Sequence, residues 1–197
     1  MSVEVEESRT GITTARRAEA VKRSGRIVAL VRDIRLLLIA LWLGGAVFFS
    51  ATVAPSAFGV LRARNVAYAN EAAGSIVTRT LAVLNTGGFI IALLLLASAF
   101  LFRQGVKRRA FLAETISLAV IALATGIGQW IIAARMLALR AGMGRPIDDV
   151  ASDDPLRVSF NGLHGYSVMA LSVAIIAAAV TLLLIARRKK QVPDVRR

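Results

Sequence analysis

Four stretches of this chain contain no Asp, Glu, Lys or Arg: Leu36–Leu61, Thr80–Phe102, Thr115–Ala134 and Val158–Ala186, of 26, 23, 20 and 29 residues. A helix rises about 1.5 Å per residue, so about 20 apolar residues cross about 30 Å of hydrocarbon. Each stretch is long enough. Leu, Ile, Val and Ala dominate them without strand-like alternation. That favours helices, whose backbone bonds close internally, over a barrel. The expected fold is all-α: an integral membrane four-helix bundle, up-down-up-down, joined by short connections. Residues 1–33 read as a basic arm, partly disordered or amphipathic, 34–187 as the transmembrane domain and 188–197 as a basic tail.

Charge placement sets the expected orientation. The arm, second loop and tail hold 18 of the 25 Lys and Arg, against seven in loops one and three. Positive residues stay cytoplasmic, so both termini are expected inside. The first apolar run is long and carries Pro55 directly after Ala54, the best cleavage position, which favours an uncleaved anchor over a secretory signal. The net charge of +13 does not indicate nucleic acid, because neither basic segment carries the aromatics that stack bases. The expected partner of the arm is anionic lipid. The same charges serve equally as a positive-inside determinant continuous with the first helix. With no cysteine, thiolate metal sites and Cys nucleophiles are excluded.

Small residues are expected at the helix contacts, since lipid supplies no hydrophobic drive between helices. Candidates are Ala40 with Gly44, Gly87 with Gly88, Ala122 with Gly126, and Ala170, Ala174 and Ala178. The polar side chains inside the spans are fewer. Asn85 and Thr86 lie toward the non-cytoplasmic end of helix two, Thr125 and Gln129 toward that end of helix three. Asn161, His164 and Ser167, at three-residue spacing, are expected on one face of helix four. Pro55 breaks the first helix nearby. Two readings follow. Asn85, Gln129, Asn161, His164 and Ser167 line a ligand recess open to the outer face, or they hydrogen-bond across helices at about 0.6 kcal/mol each.

The inventory limits chemistry. No intramembrane carboxylate is seen to orient His164, so a hydrolase triad fails, and an enzymatic role is not favoured. Zinc lacks ligands. Haem within one chain lacks a second His. Copper(I) held by Met136, Met143 and His164 is a weak alternative. The acidic run Asp148, Asp149, Asp153 and Asp154 reads as a solvated loop.

Two motifs carry a family likeness. The first helix reads Leu41-Trp42-Leu43-Gly44-Gly45-Ala46-Val47-Phe48-Phe49, then Ala54-Pro55-Ser56-Ala57-Phe58. The fourth opens Phe160-Asn161-Gly162-Leu163-His164-Gly165-Tyr166-Ser167. Together they resemble the transmembrane protein 205-like family, whose bacterial members form domain of unknown function 4149. The resemblance implies a multi-pass protein of the bacterial cytoplasmic membrane, with Gly44, Gly45, Pro55, Phe58, Phe160, His164 and Ser167 as the family's marked positions. It implies no established activity. Eukaryotic relatives are associated with resistance to platinum drugs, which points to small-molecule or metal handling, or to a subunit of a membrane complex. Homo-oligomerisation is expected if anything passes through so thin a bundle. The alternative is a redox component holding haem or quinone, with an axial ligand from another chain.

Overall fold

The computed structural model describes residues 2–102 and 106–187. The basic tail 188–197, residues 103–105 of the second loop and the arm's side chains at 1–18, 20, 21 and 24 lie outside the described residues. The rest is helical: α1 (Ser2–Phe48), a π-helical turn (Phe49–Val53), α2 (Ala54–Ala63), α3 (Ala69–Leu101), α4 (Arg108–Gly126), a second π-helical turn (Ile127–Ile132), α5 (Ala133–Gly142), a 3-10 turn (Ile147–Asp149) and α6 (Pro155–Ala186). No strand occurs among the described residues. Four continuous spans result: Gly25–Ala63, Ala69–Leu101, Arg108–Gly142 and Pro155–Ala186, each long and apolar enough to cross a membrane. Arm and first span are one helix, without a break at which a separate surface helix would turn.

The first and third spans each run through a π turn. Pro55 lacks an N–H, and its ring presses on the backbone one turn earlier. The widened turn Phe49–Val53 lies there, so the chain passes into α2 with Pro55 in its first turn. The chain then reverses at residues 64–68. Asn65 (φ 50°) and Tyr68 (φ 55°) take left-handed conformations, which Asn tolerates better than most residues. α6 starts on a strong local signal: the Asp154 side chain accepts from the N–H groups of Leu156 and Arg157, with Pro155 next in sequence. Asp before Pro suits a helix start on both counts.

The exterior is that of a lipid-facing protein. Leu101, Val83 and Ile176 are 76%, 71% and 65% exposed, a surface that water would not tolerate over such area. Inside, Ile39, Trp42, Ala46 and Phe49 of span one meet Ala92 and Leu95 of α3, Leu118 and Ile121 of α4, and Leu171, Ala174 and Ala178 of α6. Trp42 anchors the contact between spans one and two. Its indole N–H donates to the Leu84 carbonyl at 2.9 Å, giving a buried polar tip its partner. Its ring lies over Gly88, where an added Cβ would stand 2.6 Å from Cε2 and Nε1.

The small residues therefore divide. Gly88 is a contact and Gly87 opens onto space. Gly45 faces Leu84 at 3.7 Å and Gly126 faces Phe89 at 3.4 Å, while Ala174 and Ala178 are fully buried. Ala40 and Gly44, expected to pack inside the bundle, are exposed instead. They lie on the opposite side of α1 from Ile39, Trp42 and Ala46.

Gly88→Ala must displace the Trp42 ring, at a cost of about 1–3 kcal/mol for an overpacked core site. Thermal unfolding in detergent should show a lowered midpoint for Gly88→Ala and none for Gly87→Ala. Equal midpoints would remove the close packing assigned to Trp42.

Candidate intramembrane polar site

The polar groups form three levels. The first, nearest the arm, is a buried ion pair. Arg35 of α1 and Glu114 of α4 are 4% and 0% exposed, and the Arg35 guanidinium donates to Glu114 Oε1. Arg35 also donates to the Leu95 carbonyl of α3 at 3.3 Å, an oxygen that accepts from Ser98 Oγ at 2.8 Å as well. Three helices are thereby tied at one depth. Removing one partner alone would strand the other charge in a dry interior, a loss of about 3–5 kcal/mol. Both charges abut charge-free runs, beside Leu36 and Thr115, where they read as boundary residues. The signal that could have found them is a single acid at the edge of one span matched by a base at the same depth of another.

The second level is a cap built from loops one and three. α3 has no capping side chain of its own at Tyr68. Asp148 supplies one: Oδ1 accepts from the Asn70 side-chain amide at 2.6 Å and from its N–H at 3.3 Å, and Oδ2 from the Glu71 N–H at 3.0 Å. Arg62 reaches over to Asn70 Oδ1 at 2.8 Å. Glu71 in turn holds Arg140 of α5 (Nη2 to Oε2, 2.6 Å) and accepts from the Ile147 N–H at 3.1 Å. The acidic run is thus not simply a solvated loop. Asp148 and Asp154 each cap a helix, whereas Asp149 and Asp153 face solvent.

Partial burial works against the Asp148 charge, but the hydrogen bonds from Glu71 and Asn70 outweigh it, so its carboxyl titrates below the ordinary 3.8. A depressed folded-state value means stability present above the unfolded value and lost as pH falls through the folded one. Hydrogen exchange at the first turn of α3, corrected for intrinsic rates, should quicken as pH drops below about 3.8. Asp148→Ala should show the quick exchange already at neutral pH. Unchanged exchange in that variant would deny Asp148 its capping role.

The third level lies inside the bundle below the cap. Arg79 of α3 and Arg135 of α5 are exposed and are the charged residues that bound the apolar runs on this side. Asn85 and Gln129 each sit six residues deeper, about 9 Å along their helices. Asn85 is 4% exposed, and its Nδ2 lies 3.2 Å from where a Cβ would stand on Gly128. Gly128 belongs to the π turn Ile127–Ile132, which α6 packs against. This turn has no proline in it; the Asn85 carboxamide takes the space that a side chain at Gly128 would fill. Measured from the ion pair, both π turns begin about 20 Å along their helices. π turns of this kind recur at functional sites.

Gln129 follows Gly128, and its Oε1 is buried with no hydrogen-bond partner among the described residues. Neither the Asn85 carboxamide nor the Ser167 hydroxyl bonds to any described residue. The contrast with neighbouring hydroxyls is sharp. Ser98, Thr115, Thr125, Ser172 and Thr181 each donate to a carbonyl three or four residues earlier. Ser167 is 8% exposed and does not. Beside this group, Phe89 and Trp130 meet edge to face at 4.8 Å.

Not all the predicted residues share one face. Asn161 and His164 are exposed on the outside of α6 while Ser167 points inward. Residues three apart on a helix of 3.6 residues per turn differ by about 60°, so two such steps turn the face by about 120°. The single recess expected from all five side chains is not formed: Asn85 lies against the Gln129 turn, and His164 faces away from the bundle. Pro55 is exposed in the first turn of α2, Phe160 is half-buried, and the half-buried Phe58 ring carries the Arg62 guanidinium 5.6 Å above it. No cluster of three His, Cys, Asp or Glu able to hold a metal occurs among the described residues.

Residues 37–145 match the family described as a domain of unknown function, DUF4149. The chain belongs to that family. No curated protein and no solved structure matches it. The DUF4149 match takes in Trp42, Gly88, Asn85, Glu114 and Gln129. Arg35, Asp148 and the whole of α6, with Ser167 and His164, flank it. With four bilayer-length helices, this DUF4149 chain is a multi-pass membrane protein.

Proposed function

We propose that this protein binds a small, uncharged, hydrogen-bonding molecule in the outer half of the bacterial cytoplasmic membrane, between α3, the second π turn and α6. The observation that carries the reading is the unspent hydrogen-bonding capacity of Asn85, Gln129 Oε1 and Ser167. Of these, Gln129 Oε1 is the fully buried atom without a partner, which costs about 1–3 kcal/mol. Were these side chains interhelical glue, they would bond to one another or to a facing backbone. Together they offer a carboxamide donor and acceptor, a carbonyl acceptor and a hydroxyl. That set suits a neutral polar head, and the lipid-facing Trp130 beside it suits an apolar body. Likeness to the transmembrane protein 205-like family supports a role in small-molecule handling.

The combination Asn85→Leu, Gln129→Leu and Ser167→Ala tests this reading. The protein extracted directly into polymer nanodiscs should carry a small molecule detectable by native mass spectrometry. The triple variant should lose that molecule while its unfolding midpoint stays level or rises. Identical small-molecule content in both proteins would sink the reading.

Both termini face the cytoplasm in this proposal, as the distribution of Lys and Arg supports. A cysteine placed at exposed Ser152 should react with an impermeant maleimide added to spheroplasts. Reaction only after lysis would reverse the orientation.

A further inference from the structure

The polar level below the cap also restricts the chemistry of its occupant. Gln129 Oε1 is buried without a hydrogen-bond partner, and a carboxamide oxygen only accepts. Donors on the neighbouring helices are engaged elsewhere. Thr125, one turn before Gln129, donates to the Ile121 carbonyl at 2.7 Å. The Trp42 indole N–H goes to the carbonyl of Leu84, the residue before Asn85. Asn85 is 4% exposed, and its Nδ2 lies 3.2 Å from where a Cβ would stand on Gly128, next to Gln129. Those N–H groups only donate. An acceptor and a donor are therefore held at one π turn, neither of them spent.

Two further observations narrow what fits. Gln129 as a residue is half-buried, and Trp130 beside it is 53% exposed, so the approach is from hydrocarbon. A cation would also satisfy a carboxamide oxygen, but no described carboxylate stands at this level to balance its charge. Glu114 is tied to Arg35 toward the arm, and Glu71 to Arg140 at the cap. An ion without a counter-charge is costly in so dry a place.

On the ligand reading given above, we infer that the bound molecule comes from the lipid phase and carries a neutral O–H or N–H donor together with an acceptor. Alcohols, phenols and carboxamides meet that demand. The donor bonds Gln129 Oε1, and the acceptor takes an Asn85 N–H. Heads that only accept, such as ethers, ketones, esters and quinones, leave Gln129 Oε1 bare. They bind about tenfold more weakly, the scale of one hydrogen bond.

The probes para-bromophenol and para-bromoanisole differ by the methyl group that caps the hydroxyl. Both enter lipid, and bromine quenches indole fluorescence on contact. Trp42 is 5% exposed, so the quenching reports Trp130. With the full chain in phospholipid nanodiscs, the phenol should quench saturably. The anisole should need about tenfold more in the bilayer for half-saturation. Gln129→Leu should raise the phenol to the anisole's value and leave the anisole where it was. Equal half-saturation for the two probes, a phenol indifferent to Gln129→Leu, or no saturable quenching by either would each overturn the inference. If the two probes bind equally and Asn85→Leu, Gln129→Leu and Ser167→Ala together abolish both, the site stands and its demand for a donor falls. If that triple variant binds both as the wild type does, the site falls with it.

Discussion

A guanidinium and a carboxylate withdrawn from water fix the register of this bundle. Arg35 and Glu114 can sit in so dry a place only together, because desolvating either charge alone outweighs any packing around it. Their union also engages the Leu95 carbonyl. Spans one, two and three therefore cannot slide past one another without stranding a charge. Apolar contacts between helices in lipid specify position weakly, since one leucine meets a lipid tail much as it meets another leucine. A directional pair at one end supplies the missing precision, and the indole of Trp42 over Gly88 continues it toward the middle of the bundle.

With the arm end locked and the opposite end stitched by Glu71, Arg140 and Asp148, irregularity is tolerated between them. Both π turns fall there, one just before Pro55 and one against the Asn85 carboxamide. A π turn leaves backbone groups in a changed pattern and swings side chains off the regular helical stripe. It is at such a turn that Gln129 keeps a buried oxygen unpaired. Rigid ends and a relaxed interior suit the binding role proposed above, in which the site adapts while the helices hold their places.

Much of this architecture is legible in the residues alone. The four spans follow from charge-free runs. The common depth of Asn85 and Gln129 follows from counting residues along two helices. What could not be read is whatever depends on rotation. Ala40 and Gly44 have the same spacing as Ala122 and Gly126, yet one pair faces outward and the other inward. Asn161, His164 and Ser167 seemed to share a stripe until the cumulative turn of the helix parted them. Arg35 and Glu114 stood at the ends of apolar runs, where charge is ordinary. Their partnership exists only once two helices are set side by side. The helices also run on past the apolar stretches, to Ala69 and Gly142, because charged residues are welcome in a helix once it has left hydrocarbon.

The capping of α3 by a residue from loop three has a consequence for biogenesis. Asp148 is synthesised long after Asn70 and Glu71, with the whole of the third span in between. The hairpin of the first two spans must therefore enter the bilayer with the start of α3 unfinished. Closure of that cap waits until the third span and the loop that follows it have been made. Formation of the Asp148 bonds thus follows synthesis of the third span, and a chain stalled before this point would lack the cap of α3.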